Sequence, residues 1–280
     1  MTTQLKTMLL LAALTGLMLF LGGMLGGNTG IVIALILALA MNFASYWYSD
    51  RIVLSMYKAR ELSPAEAPQL HAIVGRLAKS AGLPKPRVFL VPQQQPNAFA
   101  TGRNPEHAVV AVTEGIVRLL SPEELEGVLA HEMGHVANRD ILIQSVAAVL
   151  GSAIMVVANI MQWTAFFGGR DDEDSNPLAL LAMAILAPVA ASLIQMAISR
   201  SREYLADATG ARLCGHPRHL ASALGKLEST ARRVPLKGSP STENMFIVNP
   251  FSAVRAAQWF STHPPTQDRI ERLLAMSEGR

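Results

Sequence analysis

The residues best suited to chemistry are His131-Glu132-Met133-Gly134-His135. Histidines at i and i+4 share one face of a helix, about 6 Å apart, so both imidazoles can reach one cation. Imidazole donors with no thiolate partner suit zinc. Glu132 is one position past His131 and leans over the open coordination position, where a general base has to stand. A catalytic zinc takes a third protein ligand and leaves one position for water. The downstream candidates are Glu203, Asp207, His216, His219 and His263. Of these, Ser201-Arg202-Glu203-Tyr204-Leu205-Ala206-Asp207 is best placed, because Glu203 and Asp207 also stand at i and i+4. One carboxylate can bind the metal while the other accepts the second N–H of a ligand imidazole and fixes its tautomer.

These groups need rigid elements to position them. Ser121-Pro122-Glu123-Glu124 predicts a capped helix start with proline in the first turn, and Leu125, Val128 and Leu129 give that helix an apolar face. Ser63-Pro64-Ala65-Glu66 predicts a similar start for a helix running to about Ala81. Three short strands are expected at 87–91, 98–101 and 108–112, with a turn over 102–105. A substrate backbone can add to an exposed strand edge. Asn97, Ala98 and Phe99, just ahead of the HExxH helix, are the candidate substrate-binding residues. Further helices are expected from near Ser199 and His219, and a loop over 234–250.

The chain has 280 residues, 50% of them hydrophobic and 16% charged, with a mean hydropathy of +0.28. Such sparse charge excludes a disordered chain and a nucleic-acid-binding tail, and makes an ordinary soluble enzyme a poor description. The single cysteine, Cys214, excludes a disulfide framework. Between Lys6 and Asp50 there is no charge, and two apolar runs, about Met8–Met24 and Ile31–Tyr48, flank Gly26-Gly27-Asn28-Thr29-Gly30. Two more charge-free windows cover 141–169 and 175–199. Each of the four is about long enough to cross a bilayer. The expected fold is therefore a mainly α membrane protein, with four transmembrane helices in two hairpins and a zincin-like α+β catalytic domain bearing a small sheet. Its divisions are 1–50 (first hairpin), 51–140 (small sheet and HExxH helix), 141–200 (second hairpin) and 201–280 (helical, with the third ligand). The acidic loop Arg170–Asp174 faces away from flanks carrying Lys6, Arg51, Lys58, Arg139 and Arg200, which places both termini and the active site in the cytosol. The second hairpin would bring Glu203 back beside His131 and His135.

His-Glu-Met-Gly-His-Val-Ala-Asn-Arg-Asp at 131–140, Ser-Arg-Glu-Tyr-Leu-Ala-Asp at 201–207, Ser-Thr-His-Pro-Pro-Thr at 261–266 and Pro-Asn-Ala-Phe-Ala-Thr-Gly at 96–102 resemble the HtpX family of bacterial membrane zinc proteases, relatives of the CAAX prenyl endopeptidases. The resemblance covers nearly the whole chain. It implies one zinc ion held by His131, His135 and Glu203, with Glu132 as catalytic base. It implies a stress-linked endopeptidase of the bacterial inner membrane, acting on misfolded membrane proteins or unfolded polypeptides beside other quality-control proteases. Asp207 and Asp140 are expected behind the ligand imidazoles. His263 is the candidate that the resemblance offers as oxyanion stabiliser, with Arg269 a second. The bilayer is the expected surrounding partner, and nucleic acid is not. The alternative is a non-catalytic membrane scaffold with a retained zinc site. A structural site, however, normally fills all four positions and favours cysteine.

Overall fold

The computed structural model describes residues 3–167, 200–231, 245–247 and 264–279. Within these the chain is mostly helical around one small mixed sheet. Helix α1 (Thr3–Trp47) is broken by Gly26 (φ −144°, ψ 17°) and Gly27 (φ 54°, ψ −138°). A ψ near −138° at positive φ is accessible to glycine, which has no Cβ to clash. The break leaves two arms, Gln4–Met24 and Gly26–Trp47, each long and apolar enough to cross a membrane. The arms fold back on each other: Asn42 Nδ2 donates to Thr15 Oγ1 at 2.9 Å, and the backbones of Gly22 and Gly30 meet with no room for side chains.

Four strands follow: β1 (Arg60–Glu61), β2 (Arg87–Val91), β3 (Ala98–Thr101) and β4 (Val109–Thr113). Their spatial order is β1-β2-β4-β3. β2 and β4 run parallel, whereas β1 and β3 pair antiparallel to their neighbours. One face of the sheet, with Val88, Ala98, Ala100, Val110 and Val112, packs under α3 (Pro68–Ala81) and α5 (Pro122–Ala137). The other, with Phe89, Val91, Phe99, Val109 and Ala111, packs on Val53 and Leu54 of α2 (Ser49–Met56) and on Ala148. Burial of both faces explains why these strands read as continuous apolar runs rather than alternating ones.

Three boundaries differ from expectation. Ser63 and Glu66 do make reciprocal capping bonds, but they close a separate turn, and α3 begins only at Pro68. The residue before a proline is pushed out of the α region, and Ala67 sits at φ −138°, ψ 63°. β4 starts one residue later than predicted, at Val109, because Ala108 belongs to the short helical turn Pro105–His107 as its C-cap. β1 was not expected, since two residues carry no periodicity. The Ser121 box is formed as predicted, with Ser121 capping Glu124 N–H and the Glu124 carboxylate accepting from Ser121 N–H at 2.9 Å.

The remaining elements are α4 (Glu114–Leu119), α6 (Ile141–Phe167), α7 (Arg200–Cys214), α8 (Pro217–Ala231) and α9 (Thr266–Ser277), the last absent from the sequence reading. The third apolar run is α6, 27 residues without a charge. Ile143, Val146, Leu150 and Ile154 in its first half are buried with Leu10 and Leu14 of α1. The fourth apolar run, the acidic loop 170–174, His263 and most of 234–250 lie outside the described residues.

Candidate active site

The site forms where α5 crosses α7. The crossing is close because small residues meet there. A Cβ on Gly134 would lie 2.7 Å from the Ala206 carbonyl oxygen, and one on Gly210 would lie 2.7 Å from His131 N. Ala206 and Gly210 stand one turn apart on α7, so the two backbones touch along one short stripe. That contact lays Glu203, one turn before Ala206, against the histidine face of α5.

His131 and His135 sit edge to face, with ring centroids 4.7 Å apart. His131 Nε2 is 3.7 Å from Glu203 Oε2, and His135 Nε2 is 3.6 Å from Glu203 Oε1. One ligand atom from each of the three residues falls within 4.8 Å of the others, and all three side chains are buried. No other group of His, Cys, Asp or Glu among the described residues gathers three ligand atoms in this way. The N···O separations are too long for hydrogen bonds. A tetrahedral ion with bonds of about 2.0–2.2 Å sets its ligand atoms roughly 3.4 Å apart, so the cluster fits a divalent cation of that geometry. The outward nitrogens are engaged elsewhere. His131 Nδ1–H donates to Asp207 Oδ1 at 2.8 Å, which turns its Nε2 lone pair toward Glu203. Around His135 Nδ1 stand Asp140 Oδ2 at 3.6 Å and Gln144 Nε2 at 3.4 Å. Of the other candidates, His216 and His219 stack on each other at the α7–α8 turn, 4.8 Å between centroids.

Glu132 is buried next to this cluster, and its Oε2 accepts the Ala100 N–H of β3 at 2.8 Å. Burial pushes its carboxyl pKa upward, partly opposed by His131 and His135. For His135, burial works against the charged ring, but Asp140, Glu203 and Glu132 outweigh it and push the pKa up to about 9. Burial would likewise raise Asp207, yet Arg269 and His131 hold it well below the usual carboxylate range.

Three side chains expected at the substrate, those of Arg269, Asn97 and Phe99, are placed differently. Arg269 is only 1% exposed and lies behind the site. Its Nε and Nη2 grip both Asp207 oxygens at 2.8 Å, and its Nη1 donates to the Ile247 carbonyl at 2.7 Å. The arginine is thereby committed to the carboxylate that orients His131. Asn97 uses both ends of its amide inside the chain, donating to Met245 O at 2.9 Å and accepting from Ile247 N at 3.2 Å. Phe99 packs at a tilt of 38° against Tyr57 in the core, with ring centroids 5.0 Å apart. β3 is nevertheless an edge strand. Asn97 O accepts from Thr113 N across the β4 side, so Ala98 and Ala100 turn their backbone groups to the free edge, toward Glu132. Sequence reasoning missed the Gly134–Ala206–Gly210 contact. The small residues at 206 and 210 were the available signal.

A buried cluster of two imidazoles and a carboxylate, an adjoining glutamate and a strand edge, all next to two helices of membrane-spanning length, is the arrangement of a membrane metallopeptidase. Residues 64–277 match peptidase family M48, and the chain belongs to that family; it is a metalloprotease. It is 59% identical over 279 residues to a "Protease HtpX homolog" of Pyrococcus furiosus, covering 98% of this chain and 96% of that one. A "Protease HtpX homolog" of Desulfatibacillum aliphaticivorans is 55% identical over 277 residues, covering 98% and 89% respectively. The crystal structure of S. mikatae Ste24p shares the fold, with a TM-score of 0.52 at 19% identity, over 96% of this chain and 65% of that one.

Proposed function

We propose that this chain is a zinc-dependent endopeptidase of the bacterial inner membrane, which cleaves misfolded or damaged membrane proteins at the cytosolic face. The observation that carries the hydrolytic part is the shared focus of His131 Nε2, His135 Nε2 and the Glu203 carboxylate, with Glu132 beside it. Two imidazoles and one carboxylate are the donor set of catalytic zinc. His131, His135 and Glu203 hold the ion, which when bound supplies a Lewis acid that acidifies water and polarises a peptide carbonyl.

The chain's own groups do the rest. Glu132 takes the proton of the attacking water onto its carboxylate and returns it to the leaving amine nitrogen. The Ala100 N–H bond fixes the carboxylate for this task. Asp207 keeps His131 in the Nδ1–H tautomer, and Arg269 keeps Asp207 charged and oriented. The free edge at Ala98 and the Ala100 carbonyl is the place where a substrate strand would pair, since the Ala100 N–H is held by Glu132. His263 is the transition-state donor that the resemblance of Ser-Thr-His-Pro-Pro-Thr at 261–266 implies.

Support for the cellular reading comes from the sequence. Four apolar runs are divided into two hairpins, and their basic flanks lie opposite the acidic loop. The resemblance to stress-linked membrane proteases supplies the substrate class. The test is metal analysis and cleavage of an unfolded membrane-protein substrate by wild type and Glu132→Gln. The variant should keep one zinc per chain and lose roughly 10²–10⁴-fold in turnover. Unchanged turnover would remove Glu132 from the mechanism, and absence of metal in an active wild type would remove zinc.

A further inference from the structure

At the foot of the α1 hairpin is a cavity of about 440 Å³, and its walls come from both arm ends, the β3–β4 loop and the α5–α6 turn. Its lining divides by chemistry. Met8, Leu11 and Leu142 form an apolar wall, and Arg103 and Arg139 supply two cations with no acidic residue among the lining. Most other arginines around the site face carboxylates: Arg269 grips Asp207, and Arg202 lies 3.7 Å from Asp140. Arg103 Nη2 lies 2.6 Å from His107 Nε2, and no ion pair with a carboxylate is found for Arg103 or Arg139 among the described residues.

The cavity also has a defined depth. Tyr46, Trp47 and Tyr48 are each about two-fifths exposed at the end of the second arm, and exposed Tyr and Trp at a span's end mark the headgroup layer. Arg103 lies over the Trp47 ring, 4.8 Å from its centroid, so its charge stands at that layer. Arg139 reaches the rim through a backbone at φ 58°, a left-handed conformation that a glycine or asparagine would adopt with less strain. Beyond Leu11, Leu14, Met18 and Leu21 continue the same face of α1 and line an apolar cavity of about 480 Å³ between the arms and α6. A polar, cationic cavity at headgroup depth, with an apolar one further along the same helix face, has the division of a phospholipid.

We propose that Arg103 and Arg139 bind the phosphodiester of an anionic glycerophospholipid, with an acyl chain lying along α1. The site adjoins the catalytic elements without belonging to them. Arg139 ends the turn after α5 and immediately precedes Asp140, while Arg103 follows β3, whose Thr101 hydroxyl bonds Ser145 of α6 at 2.7 Å. An occupied headgroup site would tie the β3 end to the α5–α6 turn. The inference rests on the reading that the two arms of α1 lie in a bilayer.

The experiment uses the full chain, delipidated in neutral detergent, with phosphatidylglycerol, phosphatidylcholine and soluble glycerol phosphate as probes. Bound lipid is counted by native mass spectrometry, and the unfolding midpoint is followed with each probe. Phosphatidylglycerol should be retained and raise the midpoint, and phosphatidylcholine should do so far less. Interfacial arginines contribute about fivefold each in affinity for anionic lipid, so R103Q and R139Q should each weaken retention about fivefold and together about 25-fold. Lysine at both positions should restore most of it. Glutamine at 139 keeps the same backbone demand as arginine, so strain does not confound the comparison. R51Q, a cation at the same membrane face but outside the cavity, should change nothing. Equal retention of phosphatidylcholine, or an R51Q effect matching R139Q, would overturn the site. Equal competition by glycerol phosphate would make it a soluble-anion site and overturn the lipid assignment. Flotation with neutral vesicles tests the bilayer reading separately: a chain that floats but shows no anionic preference overturns only this inference, and one that does not float overturns both.

Discussion

The α1 hairpin and the α5–α7 crossing are built in opposite senses. In the hairpin, large apolar side chains point outward, with Ile36 62% and Leu39 59% exposed. Its polar contact, Asn42 to Thr15, is turned inward between the arms. At the crossing, Glu132, Glu203, Asp207 and Arg269 are all buried, each facing a charge or a backbone donor. Both regions bring two helices together through small residues, Gly22 with Gly30 in one and Gly134 with Ala206 and Gly210 in the other. The shared device is close backbone approach. The difference is what surrounds it. Lipid accepts apolar side chains on the outside and requires backbone bonds to be satisfied internally. The crossing instead encloses charge, which is tolerable only when each group is matched.

The contrast can be broken most severely at Arg269. Arg269→Met would leave Asp207 buried without its main partner, at a cost of about 3–5 kcal/mol in unfolding free energy, read from denaturation in detergent. Adding Asp207→Asn should recover much of that loss, and an additive double variant would argue against a matched pair. The same pair sets an acid limb. Asp207 is held below its ordinary value, so its contribution is full above the unfolded pKa of about 4 and fades as pH falls below it. Asp207→Asn should flatten that limb.

Gly210→Ala comes next. Its Cβ would meet the α5 backbone at 2.7 Å, so about 1–3 kcal/mol of overpacking and a fall in bound metal are expected as Glu203 is pushed off the imidazoles. Gly225→Ala on α8, where the new Cβ meets nothing within 4 Å, should leave metal content unchanged.

Metal uptake should be pH-dependent, because a ligand imidazole must shed its proton. With His135 at about 9 in the metal-free protein, affinity should fall about tenfold per pH unit as pH drops below that value, with proton release on binding. A flat profile between about pH 6 and pH 8 would contradict this. In the hairpin, Asn42→Leu should cost only about 0.6 kcal/mol, typical of one hydrogen bond between membrane helices.

Much of this was legible because it is local. Ser121 and Glu124 spell a helix start in four residues, and His131 with His135 share a face in any α-helix. The runs in α1 announce their surroundings through the absence of charge, and Gly26-Gly27 marks the break. The start of α3 was misplaced because two rules competed, and the proline at 68 outweighed the capping signal at 63–66. α9 was missed, although it supplies the buried Arg269.

The sequence by itself determined the apolar runs, the capped helix and the presentation of two imidazoles on one side of it, since each depends on neighbours within a turn or two. Only the tertiary structure decided which carboxylate of Glu203 and Asp207 faces the Nε2 atoms and which stands behind His131. It also decided that Arg269 and Asn97 serve the interior of the chain, and that the outward groups of β3 turn toward Glu132. Those outcomes depend on how closely two helices cross and at what angle, and that is set by packing between segments about 70 residues apart, which no local periodicity encodes.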